Sequence, residues 1–318
     1  MKKFVERCLL ILEKAKVIRS LLCATAAFAQ LRLLERASGL ATSLNFVMRS
    51  AWARADWSGY RSRLLAPALI HAFGGDLRAF LIVTFIGLFI GGYLSWRLAN
   101  GPGGLGIYHA VFALMANPWF SPWDIFEPVI FTAFVLLVVE EKSARWFIAL
   151  FAVAIFNLQS AMFIALYMFI SRKMVLEGVI CAMLGLVVMY ALQHSELPKF
   201  GLAGFGDDIS TDYFRTTLYG NLFDIATGRA VGGGFDWLPP GILLSIIIAG
   251  VAVILEGYPA LGVTFLIMLA ATLTFALVTE TRVFLGFIGL FTLAATPSAR
   301  SSRQIPNVRD RQSVPAPA

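Results

Sequence analysis

Charged residues are scarce in this sequence. Asp, Glu, Lys and Arg make up 14% of its 318 residues, whereas a soluble domain carries about a quarter. Hydrophobic residues reach 58%, and the mean hydropathy is +0.77. This balance argues against a soluble protein. It predicts an all-α membrane protein, a polytopic helical bundle with the lipid bilayer as its main partner.

Cysteine and histidine are equally scarce. The three cysteines are scattered and form no C-x-x-C pair, so neither a disulfide framework nor a zinc site is expected. The three histidines, His71, His109 and His194, share no ligand spacing. We therefore predict no metal site and find no sign of a cofactor. Paired acids such as Asp207-Asp208 have the chemistry to hold a divalent cation, but no ligand pattern recurs.

Motifs of soluble enzymes are missing as well. The chain has no P-loop lysine motif, no H-E-x-x-H and no nucleophile elbow. The segment from Gly101 to Gly106 matches G-x-G-x-x-G, but it follows an apolar span, whereas a dinucleotide site needs a strand there. No nucleic-acid-binding motif accompanies the basic residues, so nucleic acid is excluded as a partner.

The charges that are present are unevenly distributed. Residues 1–78 carry thirteen Lys or Arg against five Asp or Glu, and residues 297–318 carry four Arg against one Asp. Residues 193–240 contain six acids and three bases. The positive-inside rule then places both termini and the Arg172-Lys173 turn in the cytoplasm, and the 193–240 loop outside. The Pro-, Ser- and Arg-rich tail 297–318 is predicted to be disordered.

Apolar runs divide the chain into a basic N-terminal region, 1–78, and a transmembrane bundle, 79–296, of seven to nine membrane segments. Residues 4–31 are interpreted as an interfacial amphipathic helix or as a poor first span, and residues 49–78 as an interfacial helix. Gly87-x-x-x-Gly91 supplies small residues for close helix packing. The predicted spans are 79–96, 125–139, 146–170, 177–192, 241–255, 260–279 and 283–295, with 104–116 as a further candidate.

The run 146–170 is broken near its middle by Asn157-Leu158-Gln159-Ser160. As one helix its 25 residues would reach roughly 37 Å, enough to cross an apolar core of about 30 Å. Two arrangements satisfy the loop charges. In one, 146–170 and 104–116 each cross once. In the other, 146–170 forms two half-helices that meet at Asn157 and enter and leave on one face, while 104–116 stays outside.

Acids also stand beside predicted spans. Asp124 and Glu127 flank the start of the 125–139 span, where solvated residues at headgroup level are expected. Glu280 and Arg282 lie in a short turn before the last span. There we expect them to pair with each other or to face a headgroup or pyrophosphate.

Three short motifs occur in order along the chain. Tyr60-Arg61-x-Arg63-Leu-Leu-Ala-Pro67 comes first, the Asn157 interruption follows, and Glu280-x-Arg282 precedes the last span. Over roughly residues 56–292 the chain thereby resembles bacterial polytopic membrane proteins similar to the GT-C class of membrane glycosyltransferases. Those typically show Y-R-x-L-x-P early, N-R-E-T in mid-chain and E-x-R near the end. The mid-chain motif differs here, because Leu158 and Gln159 replace its Arg-Glu charge pair.

The resemblance implies a protein of the bacterial inner membrane that moves a sugar from a polyprenyl-phosphate donor to an acceptor at the outer face. It implies that Asp56 is a base or metal ligand, and that Arg61, Arg63 and Arg282 hold the lipid phosphate. Asp56 faces outward only if residues 4–31 cross the membrane. Asn157, Gln159 and Glu280 complete the implied site.

Two other functions fit the same pattern. A transporter or flippase-like protein would use the break at 157–160 as a polar site near the membrane midplane. A membrane scaffold or assembly factor without chemistry is permitted by the low polar content. In that case Asn157 and Gln159 simply tie neighbouring helices together, at about 1 kcal/mol or less for each hydrogen bond.

Overall fold

The computed structural model describes residues 2–37, 64–115, 122–157, 159–194, 219–222, 238–275 and 281–296. All secondary structure within these ranges is helical, as predicted. Three segments are 3₁₀ helices: Pro122–Ile125, Gln159–Ala161 and Thr281–Phe287. The α-helices are α1 Lys2–Ala37, α2 Leu65–Ala72, α3 Leu77–Ala99, α4 Pro102–Met115, α5 Phe126–Val139, α6 Ala144–Ala154, α7 Met162–Ile170, α8 Val175–His194, α9 Leu238–Leu255, α10 Pro259–Phe275 and α11 Ile288–Ala294.

Helix α5 occupies the centre of the bundle, where α3, α6, α11 and the last 3₁₀ helix pack around it. Its rings Phe131 and Phe134 both face Phe265 of α10, with centroids 6.1 and 6.2 Å apart. Phe265 in turn lies 5.7 Å from Phe287. All four side chains are buried, so aromatic packing joins segments that are distant in sequence.

Helix α3 packs closely on α4 and on the 3₁₀ helix before α5 through small residues, as the Gly87-x-x-x-Gly91 spacing predicted. A side chain at Gly87 would collide with Ile125, and one at Gly91 would collide with the ring of Tyr108. Further along, Gly104 of α4 lies against the backbone of Ser95. Helix α4 therefore runs antiparallel to α3 within the bundle. Both placements of residues 104–116 relative to the membrane, across it or outside it, stay predictions.

The interrupted run 146–170 forms a hairpin of two half-helices, α6 and α7. Phe147 near the start of α6 and Tyr167 near the end of α7 stack with ring centroids 5.7 Å apart. In one continuous helix these residues would be roughly 30 Å apart. The tertiary structure therefore selects the second arrangement for this run, while it also keeps α4 inside the bundle.

Helix α8 packs antiparallel on α7 through two glycines. An added Cβ at Gly178 would lie 2.9 Å from the backbone nitrogen of Phe169, near the end of α7. One at Gly185 would lie 2.7 Å from the Met162 sulfur, at the start of α7. Small residues at these two positions allow the close approach of the helices.

Helix α1 is one continuous helix that packs on α3 and α4. Its Arg19 guanidinium lies over the rings of Tyr93 and Trp96, near the end of α3. From Ala15 onward, where the burial of α1 is described, the buried residues, among them Cys23 and Leu34, come after Arg19. Because α3 ends at Ala99, α1 runs antiparallel to it. Helix α1 therefore packs along the bundle, and the two interpretations of residues 4–31, an interfacial helix and a first span, both stay predictions.

These contacts define two ends of the bundle. At the carboxylate end, defined by Asp124 and Glu127, α4 ends and α5 begins. At the basic end, α3 and α5 finish, and an ion pair of 2.7 Å joins Arg97 to Glu140. The basic end also holds the feet of the α6–α7 hairpin, which are the start of α6 and the end of α7. Four cations lie there: Lys142, Arg145, Arg172 and Lys173.

Two helical segments in the described part of the chain are long and apolar enough to cross a membrane: Ala15–Arg36 and Leu77–Ala99. The other apolar helices are shorter. The predicted number of seven to nine membrane segments stays a prediction. Most of the predicted outer loop 193–240 and the whole tail 297–318 lie outside the described residues.

Candidate functional site

The hairpin tip between α6 and α7 is a polar break inside an apolar bundle. Helix α6 ends at Ala154, and the Asn157 N–H then bonds the Ala154 carbonyl oxygen at 2.8 Å, which tightens the last turn. The 3₁₀ helix Gln159–Ala161 leads into α7. Asn157 is completely buried. The sequence therefore predicted the position of the break correctly, and the structure places it in the interior.

The first turn of α5 brings the carboxylate of Glu127 to this tip, and the preceding 3₁₀ helix carries a second acid, Asp124. Asp124 and Glu127 are only 4% and 7% exposed, so the expectation that they are solvated is wrong. The hydroxyl of Ser160 donates a hydrogen bond of 3.4 Å to Glu127 Oε1. The acids are drawn inward because Ile125, between them, packs fully buried against Gly87 of α3.

The start of α2 meets the other flank of the tip. The backbone N–H of Leu65 donates a hydrogen bond of 2.9 Å to the carbonyl oxygen of Phe156. The next residues of α2 are anchored by Ala66 and Ile70, which are completely buried. The Leu-Leu-Ala-Pro end of the first motif is therefore fixed beside the interruption.

The 3₁₀ helix Thr281–Phe287 closes the site from a third direction. An added Cβ at Gly286 would lie 3.2 Å from Glu127 Oε1 and 2.7 Å from the Met268 methyl group. At 2.7 Å from the added Cβ, the Met268 methyl group would have to move. The absence of a side chain at Gly286 therefore leaves room for the Glu127 carboxylate. A larger side chain would fill that space.

The structure thus brings parts of the first two motifs together, and the 3₁₀ helix that begins within the third motif approaches the same site at Gly286. Asn157 is present and buried. Only the backbone of Gln159 and Arg282 is described, and it belongs to two of the 3₁₀ helices around the tip. The remaining predicted site residues, Asp56, Arg61, Arg63 and Glu280, lie outside the described residues.

Two participants in the site were not recognised in the sequence: Glu127 and Ser160. The signal was weak but present, because two acids three residues apart at a helix start share one face of the helix. What the sequence did not show is that this face meets the tip of a hairpin formed by residues further along the chain.

The carboxylate of Glu127 and the hydroxyl of Ser160, with the buried Asn157 in the same hairpin tip, suit hydroxyl groups or a hard cation better than a soft metal. In the described ranges, no group of three or more His, Cys, Asp or Glu side chains is placed to hold a metal ion. The arrangement therefore supports recognition of a polar ligand by hydrogen bonds and charge.

A separate apolar groove of about 570 Å³ lies between α4, α9 and α11. It extends from Met115 and Gly241, at the carboxylate end, toward Ala252 in the second half of α9. Its one hydroxyl, of Ser245, donates to the Gly241 carbonyl oxygen at 2.7 Å. The Ser245 hydroxyl is therefore satisfied, and the groove offers an apolar surface.

Comparison with protein-family models, with curated proteins and with solved structures finds no match to this chain. The resemblance to membrane glycosyltransferases therefore remains an expectation drawn from short motifs. The function has to be argued from the residues of the site and from the arrangement of the helices around it.

Proposed function

We propose that the chain is a polytopic protein of the bacterial inner membrane. Large apolar side chains are exposed along whole helix faces, as on α8, where Ile180, Met183 and Val187 are 55%, 59% and 60% exposed. Such continuous apolar surface is incompatible with water but matches lipid. The eight helices α1, α3, α4, α5, α8, α9, α10 and α11 would cross, and α6–α7 would be a re-entrant hairpin, nine segments in all.

Short helices fit this arrangement when their 3₁₀ extensions are included. Helix α5 has 14 residues and is preceded by a 3₁₀ helix of 4 residues. At about 1.5 and 2.0 Å per residue, the two together reach roughly 29 Å, close to the apolar thickness of a bilayer. The central helix is therefore long enough to cross.

The proposed orientation places the basic end in the cytoplasm and the carboxylate end outside. Four cations mark the hairpin feet at the basic end, and α1 begins at this same end. Helix α1 then reaches the carboxylate end before residue 38, and α2 begins there beside Phe156. This is the condition under which an acid between them, Asp56, belongs to the outer face.

The function that the site supports best is transfer of a sugar from a polyprenyl-phosphate donor at the outer face, in cell-envelope glycan synthesis. The observation that carries it is that α2, the hairpin tip and the last 3₁₀ helix, which carry parts of the three motifs, meet around Phe156, Ser160 and the buried carboxylate of Glu127. In this proposal Asp56 takes the acceptor proton or binds a metal. Arg61, Arg63 and Arg282 hold the phosphate.

The apolar groove between α4, α9 and α11 supports a lipid-linked substrate. Its volume of about 570 Å³ lies within the range of small-molecule sites. It reaches the carboxylate end at Met115 and Gly241. A lipid chain in this groove would keep its phosphate at the same end as the carboxylates.

The proposal is tested by deleting the gene and analysing lipid-linked sugars and envelope glycans. We expect one polyprenyl-phosphate sugar to accumulate and one glycan to lose that sugar, with both changes reversed by the full chain. Unchanged lipid-linked sugars and glycans would contradict the transferase.

The orientation is tested separately, in a variant that lacks the three native cysteines. Phe73→Cys lies at the carboxylate end and Ser143→Cys at the basic end, and both positions are exposed. A membrane-impermeant maleimide added to intact spheroplasts should label only Phe73→Cys. Labelling of Ser143→Cys alone would invert the topology and remove the outer-face site.

A second candidate function is transport of a lipid-linked or polar substrate. It is favoured by the re-entrant hairpin with a buried polar tip, since broken helices form the binding sites of many transporters. The same deletion distinguishes the two. A transporter mutant would accumulate its substrate on the cytoplasmic face, whereas a transferase mutant would accumulate the donor on the outer face.

A further inference from the structure

The hairpin tip has no charge of its own. Residues Ile155 to Ala161 contain only apolar side chains, Asn157, Gln159 and Ser160. In the sequence pattern that this segment resembles, an arginine and a glutamate stand at positions 158 and 159. A tip that binds a sugar inside an apolar bundle gains most from a carboxylate, because charge-assisted hydrogen bonds are about twice as strong as neutral ones.

Glu127 brings a carboxylate to this tip from a different helix. Its Oε1 accepts the Ser160 hydroxyl, and Ser160 is the neighbour of the position where the charge is missing. The absence of a side chain at Gly286 leaves space on the Oε1 side of the carboxylate. Two separate segments, the hairpin tip and the last 3₁₀ helix, thus lie against one carboxyl group.

We infer that Glu127 is the substrate-binding carboxylate of the site and supplies from α5 the negative charge that the hairpin tip lacks at position 159. The inference rests on the proposed transfer function. Glu127 accepts hydrogen bonds from hydroxyl groups of the transferred sugar, and Ser160 orients its carboxylate. No bond is made or broken at Glu127, so its loss weakens binding of the donor without removing the chemistry.

The experiment removes the carboxylate at position 127 and then introduces one at position 159 of the hairpin tip. Transfer is measured with a radiolabelled polyprenyl-phosphate hexose, added to membranes of the deletion strain that contain the full chain or a variant. These membranes provide the native acceptor. We expect Glu127→Gln to raise the donor concentration for half-maximal transfer by about tenfold, the loss that one charged contact causes. Adding Gln159→Glu should restore most of the affinity.

Matched variants separate charge from folding. Glu141→Gln removes an exposed acid at the basic end and should leave transfer unchanged. The amount of folded protein is measured by gel filtration in detergent. If Glu127→Gln does not fold, Ser160→Ala takes its place. It keeps the charge but removes the Ser160 hydrogen bond to the carboxylate, and it should weaken donor binding by about threefold or more.

The outcomes distinguish this inference from the function on which it rests. If the native chain transfers no sugar, the transferase proposal is wrong. If the native chain is active and folded Glu127→Gln binds the donor equally well, Glu127 is not the binding carboxylate while the function stands. Failure of Gln159→Glu to restore a folded, weakened Glu127→Gln would also overturn the inference.

Discussion

The stacked rings of Phe147 and Tyr167, with centroids 5.7 Å apart, show that the two halves of one apolar run fold back on each other. Phe134 of α5 contacts both rings, at 6.2 and 5.1 Å. The hairpin is therefore held by the central helix as well as by its own halves. Its polar tip is consequently placed at the first turn of α5, where the buried carboxylate of Glu127 lies.

The hairpin predicts that both of its feet face the same side of the membrane. Ser143 and Lys173 are exposed, just outside α6 and α7. In the cysteine-free chain, Ser143→Cys and Lys173→Cys should be labelled by an impermeant maleimide only after the cytoplasmic face is opened. Labelling of the two positions from opposite sides would mean that residues 146–170 cross the membrane once.

The aromatic contact predicts a large stability difference between two neighbouring positions. Phe147 is 1% exposed, whereas Trp146 is 52% exposed. Phe147→Ala should destabilise the protein by about 3–5 kcal/mol, because it leaves a cavity between α5, α6 and α7. Trp146→Ala leaves no cavity and should cost about 0.5 kcal/mol or less. Thermal unfolding in detergent measures both, and equal midpoints would contradict the packing described for α6.

Two glycines in α3 and α4 should respond in opposite ways to alanine. Gly91 lies against Tyr108, so Gly91→Ala forces the helices apart and should cost about 1–3 kcal/mol. Gly106 has open space beside it, so Gly106→Ala should gain about 0.5–1 kcal/mol of helix stability. The shift in unfolding midpoint should therefore differ in sign. A harmless Gly91→Ala would refute the close contact.

The hydroxyl of Tyr108 is completely buried and has no hydrogen-bond partner within the described structure. Tyr108→Phe keeps the ring that stacks on Phe112 and removes only the unsatisfied oxygen. We expect the variant to be as stable as the native protein, or more stable by about 1 kcal/mol, in thermal unfolding. A loss of stability of more than that amount would show that the hydroxyl has a partner, such as a bound water.

The sequence predicted much of the fold because helices depend on local hydrophobicity and spacing. The helical class, the close-packing role of Gly87 and Gly91, and the break at Asn157 were all readable before the structure. Membrane orientation is read from loop charges alone and stays a prediction. The burial of Asp124 and Glu127 was missed, since residues beside a span look the same in sequence whether they face solvent or a neighbouring helix.

By itself, the sequence determined that this protein consists of apolar helices with one polar interruption, because those properties are set within a few helical turns. Only the tertiary structure decided that α6 and α7 fold back, that α4 lies inside the bundle, and that Glu127 meets Ser160. These relationships join residues that are distant in sequence. They depend on which helix faces pack most closely. That packing is determined jointly by glycines and aromatic rings on several helices.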